Sequence, residues 1–498
     1  MSHTKNTRRE FLRKLSYLAA GGGTAAMIPQ LRMMGTALAS TEFSDYRALV
    51  CIYLSGGNDA WNLLVPYDTP RFNTYATARS GVYSASGNNP NPGGLGLTLP
   101  TGNNVALQVI NDGATADQYF LNPSAADTSS TKYLTTIYKN GNLAFVVNVG
   151  TLVQPIQKSD YNSTPSSRPP QLFSHSDQEN LWHQANTSST AIQGWGGRCA
   201  DFLRPNNTQS TLSCVSVAGA NRFEVGLNTI PYQLSSGGLT GLTGMCNPSS
   251  CTGISSTSIR NTALKGLLAE TYSNDFQTEY AKVFQRGRDL YDLLGNTTTG
   301  LPAVKLNTTF PSNNGLASQL QMVAKMIKLS KASGYAQRQI YYVRTGGYDL
   351  HAGMMSGNGN HGQLLQQLAQ AMTAFNTAMG PTDVNVYSNV TTFTASEFAR
   401  TLQSNGSGSD HGWGSVQMVM GGAVHGGKLY SDGGGPISGF PDQTLTATNN
   451  FSRGQMIPSI GVEQYAATMA SWMGVGTSDL NTIFPNLSHF SSKNLGFV

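Results

Sequence analysis

Charge is what the sequence has least of. Of 498 residues only 11% are Asp, Glu, Lys or Arg, against roughly 25% in an average soluble chain. The net charge of +5 comes from the N-terminus, where residues 1–39 carry Lys5, Arg8, Arg9, Arg13, Lys14 and Arg32 against Glu10 alone. Without them the chain keeps 25 of its 31 basic and 25 of its 26 acidic side chains. A balanced chain of this kind has no electrostatic footing for nucleic acid or an anionic membrane. Long apolar runs are also missing. Beyond the N-terminal segment no stretch reaches the ~18 uninterrupted apolar residues of a spanning helix, which argues against a transmembrane segment. Cysteine is scarce, with five in all and no C-x-x-C pair to suggest zinc. Cys51 lies in an apolar run and reads as a buried thiol. Cys246 and Cys251 frame Asn-Pro-Ser-Ser and suit a short disulfide in an oxidising compartment. Cys199 and Cys214 are candidates for a second bridge.

Glycine, at 55 residues, is abundant, with much Asn, Ser and Thr. That composition suits an exported protein with long surface loops. The first 39 residues agree. Thr7-Arg8-Arg9-Glu10-Phe11-Leu12 has the twin-arginine form, a weakly apolar Leu15–Ile28 stretch follows, and Ala37-Leu38-Ala39 offers a small-residue cleavage site. The sequence therefore predicts a periplasmic or secreted protein whose mature chain begins at Ser40. Residues 40–498 read as one α/β domain with loop-rich insertions over 70–140 and 200–315.

Within that domain, chemistry-bearing residues collect where apolar runs stop. Ala48–Leu54 ends at Ser55-Gly56-Gly57-Asn58-Asp59, the pattern of a buried parallel strand whose glycine turn presents Asp59 at its carboxyl end. Leu143–Val149 is a second such strand. Ile340–Val343 leads into Thr345-Gly346-Gly347-Tyr348-Asp349-Leu350-His351 and repeats the first pattern. In an extended segment Asp349 and His351 share a face and can reach one cation. Val390–Ala395 and Val416–Met420 bracket Glu397, Arg400, Asp410 and His411, with His425 slightly later. Adjacent Asp and His side chains offer O and N ligands for a divalent metal, although the same pair also suits a polar turn capping a glycine-rich loop. Ser174 or Ser176 can cap a helix beginning near Asp177, with His175 beside the hydroxyls. Such a helix start serves as an ordinary cap, an anion site or an activated hydroxyl. Helical spacing over Ile259–Leu294 and Leu316–Lys331 predicts two long surface helices, and Gln363–Met379 and Val462–Met473 predict two more. The alternation argues for a mostly parallel sheet with helices on both faces.

Taken together these motifs resemble the bacterial family known as domain of unknown function 1501. They are G-G-N-D-A-W-N-L-L-V-P-Y (56–67), S-H-S-D-Q-E-N-L-W (174–182), G-W-G-G-R (194–198) and G-G-Y-D-L-H-A (346–352). S-E-F-A-R-T (396–401), G-S-D-H-G (408–412) and G-G-K-L-Y (426–430) complete the set. That family in turn resembles the alkaline phosphatase, sulfatase and phosphoglycerate mutase superfamily. The resemblance implies an alkaline-phosphatase-like sheet whose strand ends gather one or two divalent metal ions. It implies metal ligands at Asp59, Asp349, His351, Asp410 and His411, a nucleophile at Ser174 or Ser176, and His175 or His425 as a further ligand. Glu397 would be a second carboxylate and Arg400 an anion-pairing group, so Ser174, His175, Glu397 and Arg400 form the expected catalytic set. Ser163-Thr164-Pro165-Ser166-Ser167-Arg168 misses the sulfatase signature by one position, which argues against a formylglycine enzyme. The implied activity is metal-dependent hydrolysis of a phosphate or sulfate ester. The alternative is a non-catalytic exported binding or surface-assembly protein that keeps the fold and binds a surface polymer or partner. The fold-level analogy does not choose between them.

Overall fold

The structure, a computed structural model, describes residues 43–84, 93–100, 106–109, 117–128, 130–131, 133–186, 192–239, 256–431 and 441–498. The twin-arginine segment and the expected Cys246–Cys251 bridge lie outside the described residues. The strands in chain order are β1 (Arg47–Leu54), β2 (Leu64–Pro66), β3 (Ala106–Val109), β4 (Asp117–Leu121), β5 (Leu143–Gly150) and β6 (Cys214–Ser216). Then come β7 (Tyr232–Gln233), β8 (Arg338–Thr345), β9 (Val390–Ala395), β10 (Ser415–Met420), β11 (Leu429–Tyr430) and β12 (Ile460–Gly461).

Nine of these form one sheet in the order β11-β5-β10-β9-β1-β8-β6-β7, with β12 also on β5. β1 pairs in parallel with both β8 and β9, and β10 runs antiparallel to its neighbours β9 and β5. The sheet is thus mostly parallel, as the sequence predicts. Residues Ala48–Leu54 are all buried because both faces of the sheet are covered, which a continuous apolar run requires. Ala48, Val50, Ile52 and Leu54 join one core; Leu49, Cys51 and Tyr53 join the other. β2, β4 and β3 make a separate antiparallel sheet.

Eight helices matter below: α1 (Thr69–Ala78), α2 (His175–Gln184), α3 (Trp195–Leu203), α4 (Ser256–Ala269), α5 (Asp275–Leu294), α6 (Gly315–Ser333), α7 (His361–Met379) and α8 (Val462–Met473). Leu316, Leu320 and Met326 of α6, with Leu365 and Phe375 of α7, fill the first core. Trp195 and Leu203 of α3, with Tyr465 and Met469 of α8, fill the second.

Three expectations need correcting. The helical pattern over Ile259–Leu294 is two helices, because Asn274 caps the second by accepting from the Phe276 and Gln277 amides. α6 is a core helix, with residues around most of its circumference buried. Cys199 and Cys214 are separate buried thiols, and burial pushes the Cys199 thiol up to about 12. Cys51 is buried and free, as expected.

Candidate metal centre

The parallel strands deliver their carboxyl ends to one edge of the sheet, and the site lies there. Strand β8 leads through Gly346 and Gly347 to a buried Tyr348, which anchors the turn and leaves Asp349 and His351 half-exposed. After β9, Glu397 and Arg400 turn inward and are buried. Asp410 and His411 approach from the loop before β10, and an isolated bridge joins Arg400 to His411. α2 begins at His175. These elements bring the Nε2 or Nδ1 atoms of His175 and His411 and a carboxylate oxygen of Asp349 within 4.8 Å of one another. His351 adds a third imidazole, its Nε2 lying 2.9 Å from His411 Nε2 and 3.1 Å from Asp349 Oδ1.

Each ring is held from behind by an acceptor. His175 Nδ1 lies 2.9 Å from Glu397 Oε1, His351 Nδ1 3.0 Å from Asp410 Oδ1, and His411 Nδ1 2.7 Å from the Phe173 carbonyl. An acceptor at Nδ1 draws the ring proton there and turns the Nε2 lone pair inward. Three lone pairs and the Asp349 carboxylate therefore face a common space. Two of those lone pairs, on His351 and His411, repel at 2.9 Å unless a proton or a cation lies between them. His175 Nε2 is buried without a hydrogen-bond partner, although Asp349 Oδ2 is 3.4 Å away. A ring whose Nδ1–H is directed at a carboxylate or carbonyl while Nε2 stays free is how metal-ligating histidines are held. The donor set fits a divalent first-row cation, for which imidazole and carboxylate are suitable ligands.

The supporting groups are themselves fixed. Glu397 Oε1 also accepts from the Gly56 amide at 2.7 Å. Asp410 accepts from Asn405 at 3.0 Å and from Arg453 at 2.5 Å. Burial raises the Asp410 pKa, but the hydrogen bonds from Asn405, His351 and Arg453 prevail and lower it to about 2. Asp349 behaves alike: burial raises it, while Arg400 and the histidines bring it below the usual range. Bonding to Glu397 raises the His175 pKa against the effect of burial, whereas burial, with the Arg400 charge, lowers that of His411. Phe173 holds its carbonyl toward His411 with φ at 131°, a backbone conformation that non-glycine residues rarely adopt.

The other expected site residues are distributed as follows. Asp59 is buried in an ion pair with Arg79, which also donates to the Thr401 carbonyl. Its carboxylate is outside the ligand cluster. Asp410 stands behind His351, with both oxygens engaged. Arg400 is fully buried and donates to Gly57 O, Ser409 O, Gly56 O, Tyr348 O and Asp349, with its Nη1 also 3.4 Å from His351 Nε2, so its guanidinium holds the site together and is not open to a substrate anion. Ser174 caps α2 through its backbone, while its Oγ donates to Asp177 Oδ2 at 2.6 Å and lies 3.4 Å from Ser176 Oγ. His425 sits elsewhere, 2.9 Å from the Gly496 carbonyl. Sequence reasoning missed Arg79, Arg453, Asn405 and the Phe173 carbonyl. Arg79, Arg453 and the Phe173 carbonyl act on partners 20 or more residues away, whereas Asn405 lies five residues before Asp410 in the same polar loop.

A comparison with curated proteins returns no match. Residues 296–435, which supply Asp349, His351, Glu397, Arg400, Asp410 and His411, match the family described as "Protein of unknown function (DUF1501)".

Proposed function

We propose that this protein is an exported, metal-dependent hydrolase of phosphate or sulfate esters. The observation that carries the reading is the convergence of three imidazole Nε2 atoms on the Asp349 carboxylate, each ring held by an acceptor at Nδ1. His175, His351, His411 and Asp349 would hold one divalent cation. Such an ion supplies Lewis acidity and a water of lowered pKa. Arg400 keeps Asp349 ionised and fixes its orientation. Glu397, Asp410 and the Phe173 carbonyl keep the rings in the ligating tautomer. Ser174 Oγ, its proton already directed at Asp177, is the candidate nucleophile, with Asp177 as proton acceptor. The twin-arginine leader and the alkaline-phosphatase-like motifs support the same reading.

Purified protein stripped with chelator and titrated with Co²⁺ should develop the visible spectrum of a nitrogen- and oxygen-bound ion. Asp349→Asn should weaken that binding by at least the roughly 10–100-fold that loss of an outer-shell partner costs, since it removes a direct ligand. Wild-type protein loaded with Mn²⁺, Zn²⁺ or Co²⁺ should then cleave an aryl phosphate or aryl sulfate, and Asp349→Asn should not. If no cation binds, the metal reading fails. Cation binding with no turnover of either ester class would instead point to the exported binding protein.

A further inference from the structure

The sheet and its site make little use of residues 256–294. Helices α4 and α5 lie against each other, and α5 turns Ala281, Arg288, Leu290 and Leu294 inward. Toward its start α5 carries an open apolar stripe, with Phe276 89% exposed, Tyr280 69% and Val283 46%, which further along runs under the first core at Leu290 and Leu294. Positions i, i+4 and i+7 fall on one stripe of a helix. Gly287 continues it one turn further, where an added Cβ would meet no atom within 4 Å. On α4, Ile259 and Leu267 are exposed as well. An apolar surface of this kind on an otherwise well-packed protein marks a contact site.

The charges beside the stripe say what fits it. Asp275 and Glu279 precede Lys282 and Arg286 along one flank of α5, and all four are exposed. The internal Lys282–Glu279 contact is 3.8 Å long and solvent-facing, so it leaves both groups available. When two copies of a helix meet antiparallel across a two-fold axis, the same flank of each meets, first half against second half. Asp275 then faces Arg286, and Glu279 faces Lys282. The same axis sets Phe276 over Gly287, a large side chain against an open one, and Tyr280 against Val283. A parallel pair would bring unlike flanks together and lose both charge matches. With two acidic and two basic groups, the flank offers no attraction to anionic lipid.

We infer that α5 is a self-association surface, on which a second copy of this chain docks as an antiparallel helix pair. Sedimentation velocity on the mature protein over a concentration series should show a monomer–dimer equilibrium. Tyr280→Glu should leave only monomer, with the thermal midpoint that wild type shows at dilutions where it too is monomeric, because the side chain it replaces is exposed in the monomer. Glu279→Lys should weaken the dimer by roughly tenfold, since the two-fold axis repeats each contact. Adding Lys282→Glu should restore it, because the swapped charges match again. A wild-type monomer at every concentration overturns the inference. So does a dimer unaffected by Tyr280→Glu, or one that the charge swap fails to restore, as would vesicle binding in place of dimerisation.

Discussion

The turn after β1 and the turn after β8 are written almost alike: an apolar strand, two consecutive glycines within the turn, then a carboxylate. They lie side by side, because β1 and β8 pair in register from Arg47 with Arg338 to Leu54 with Thr345. Yet the two carboxylates face opposite environments. After β1 a short 3₁₀ turn, Ala60–Asn62, starts at once and carries Asp59 under the surface, where Arg79 meets it. After β8 no helix follows until His361, so Asp349 remains at the rim among three imidazoles. One turn is structural and the other is the candidate site. What separates them is the partner, and Arg79 at the end of α1 is not visible from the motif.

The contrast makes three predictions. The largest effect should come from Asp59→Ala, which leaves the Arg79 guanidinium buried without its counter-charge. Urea denaturation should show a loss of about 3–5 kcal/mol, while the protein that remains folded still binds cation. A loss below about 1 kcal/mol would mean that Asp59 is not the structural partner.

Next comes a pH effect on the same side. His361 packs behind the first turn, its Nε2 3.0 Å from Asn58 Oδ1, and burial lowers its pKa from 6.5 to about 4. Its folded value lies below its unfolded one, so between those pH values the unfolded chain binds more protons. The stability is therefore present at neutral pH and lost as the pH falls from 6.5 toward 4. At about 1.4 kcal/mol per unit the loss approaches ~3 kcal/mol. His361→Gln should flatten that limb of the profile. Glu224, raised by burial to about 8, gives the opposite slope above pH 4.5, and comparing the variant with wild type cancels it. An unchanged acid limb in the variant would show that His361 is accessible to protons in the folded state.

The smallest effect is expected at the glycines. Gly346 has open space where a Cβ would go, so Gly346→Ala should shift stability by no more than about 0.5 kcal/mol. Gly56 has φ at 116°, and a Cβ there would overlap the Asp349 backbone nitrogen. The same substitution at Gly56 should therefore destabilise by about 2 kcal/mol or more. Equal effects in thermal melts would show that the two turns do not touch as described.

Much of this architecture can be read from the sequence, because burial on both faces forces continuous apolar strands. Val390–Ala395 and Val462–Met473 appear in the structure with the predicted limits. The burial of α6 is missed by the surface-helix expectation, although Met322, Val323, Ala324, Met326 and Ile327 leave it apolar beyond a single stripe, which is the mark of a core helix. Of the site, Asp349, His351 and His411 stand out by type and spacing. The division between ligands and holders does not. Whether Asp410 faces a cation or the back of His351 depends on Arg453 and Asn405, and whether Arg400 is open depends on four carbonyls. Most of those are relations between distant residues, such as Arg453 with Asp410 and Arg400 with Gly56, which no local pattern encodes.

The rims of the large sheet carry a consequence of their own. Among the described residues the sheet ends on one side in β7, two residues long; on the other, β11 and β12 cover different stretches of β5, again two residues each. A strand edge templates intermolecular pairing in proportion to its uninterrupted length, and neither rim offers enough backbone to recruit a foreign strand. This nine-stranded sheet is thus guarded against stacking edge to edge into fibrils. Lengthening β7 or deleting the β12 segment would remove that guard before it disturbed the candidate site.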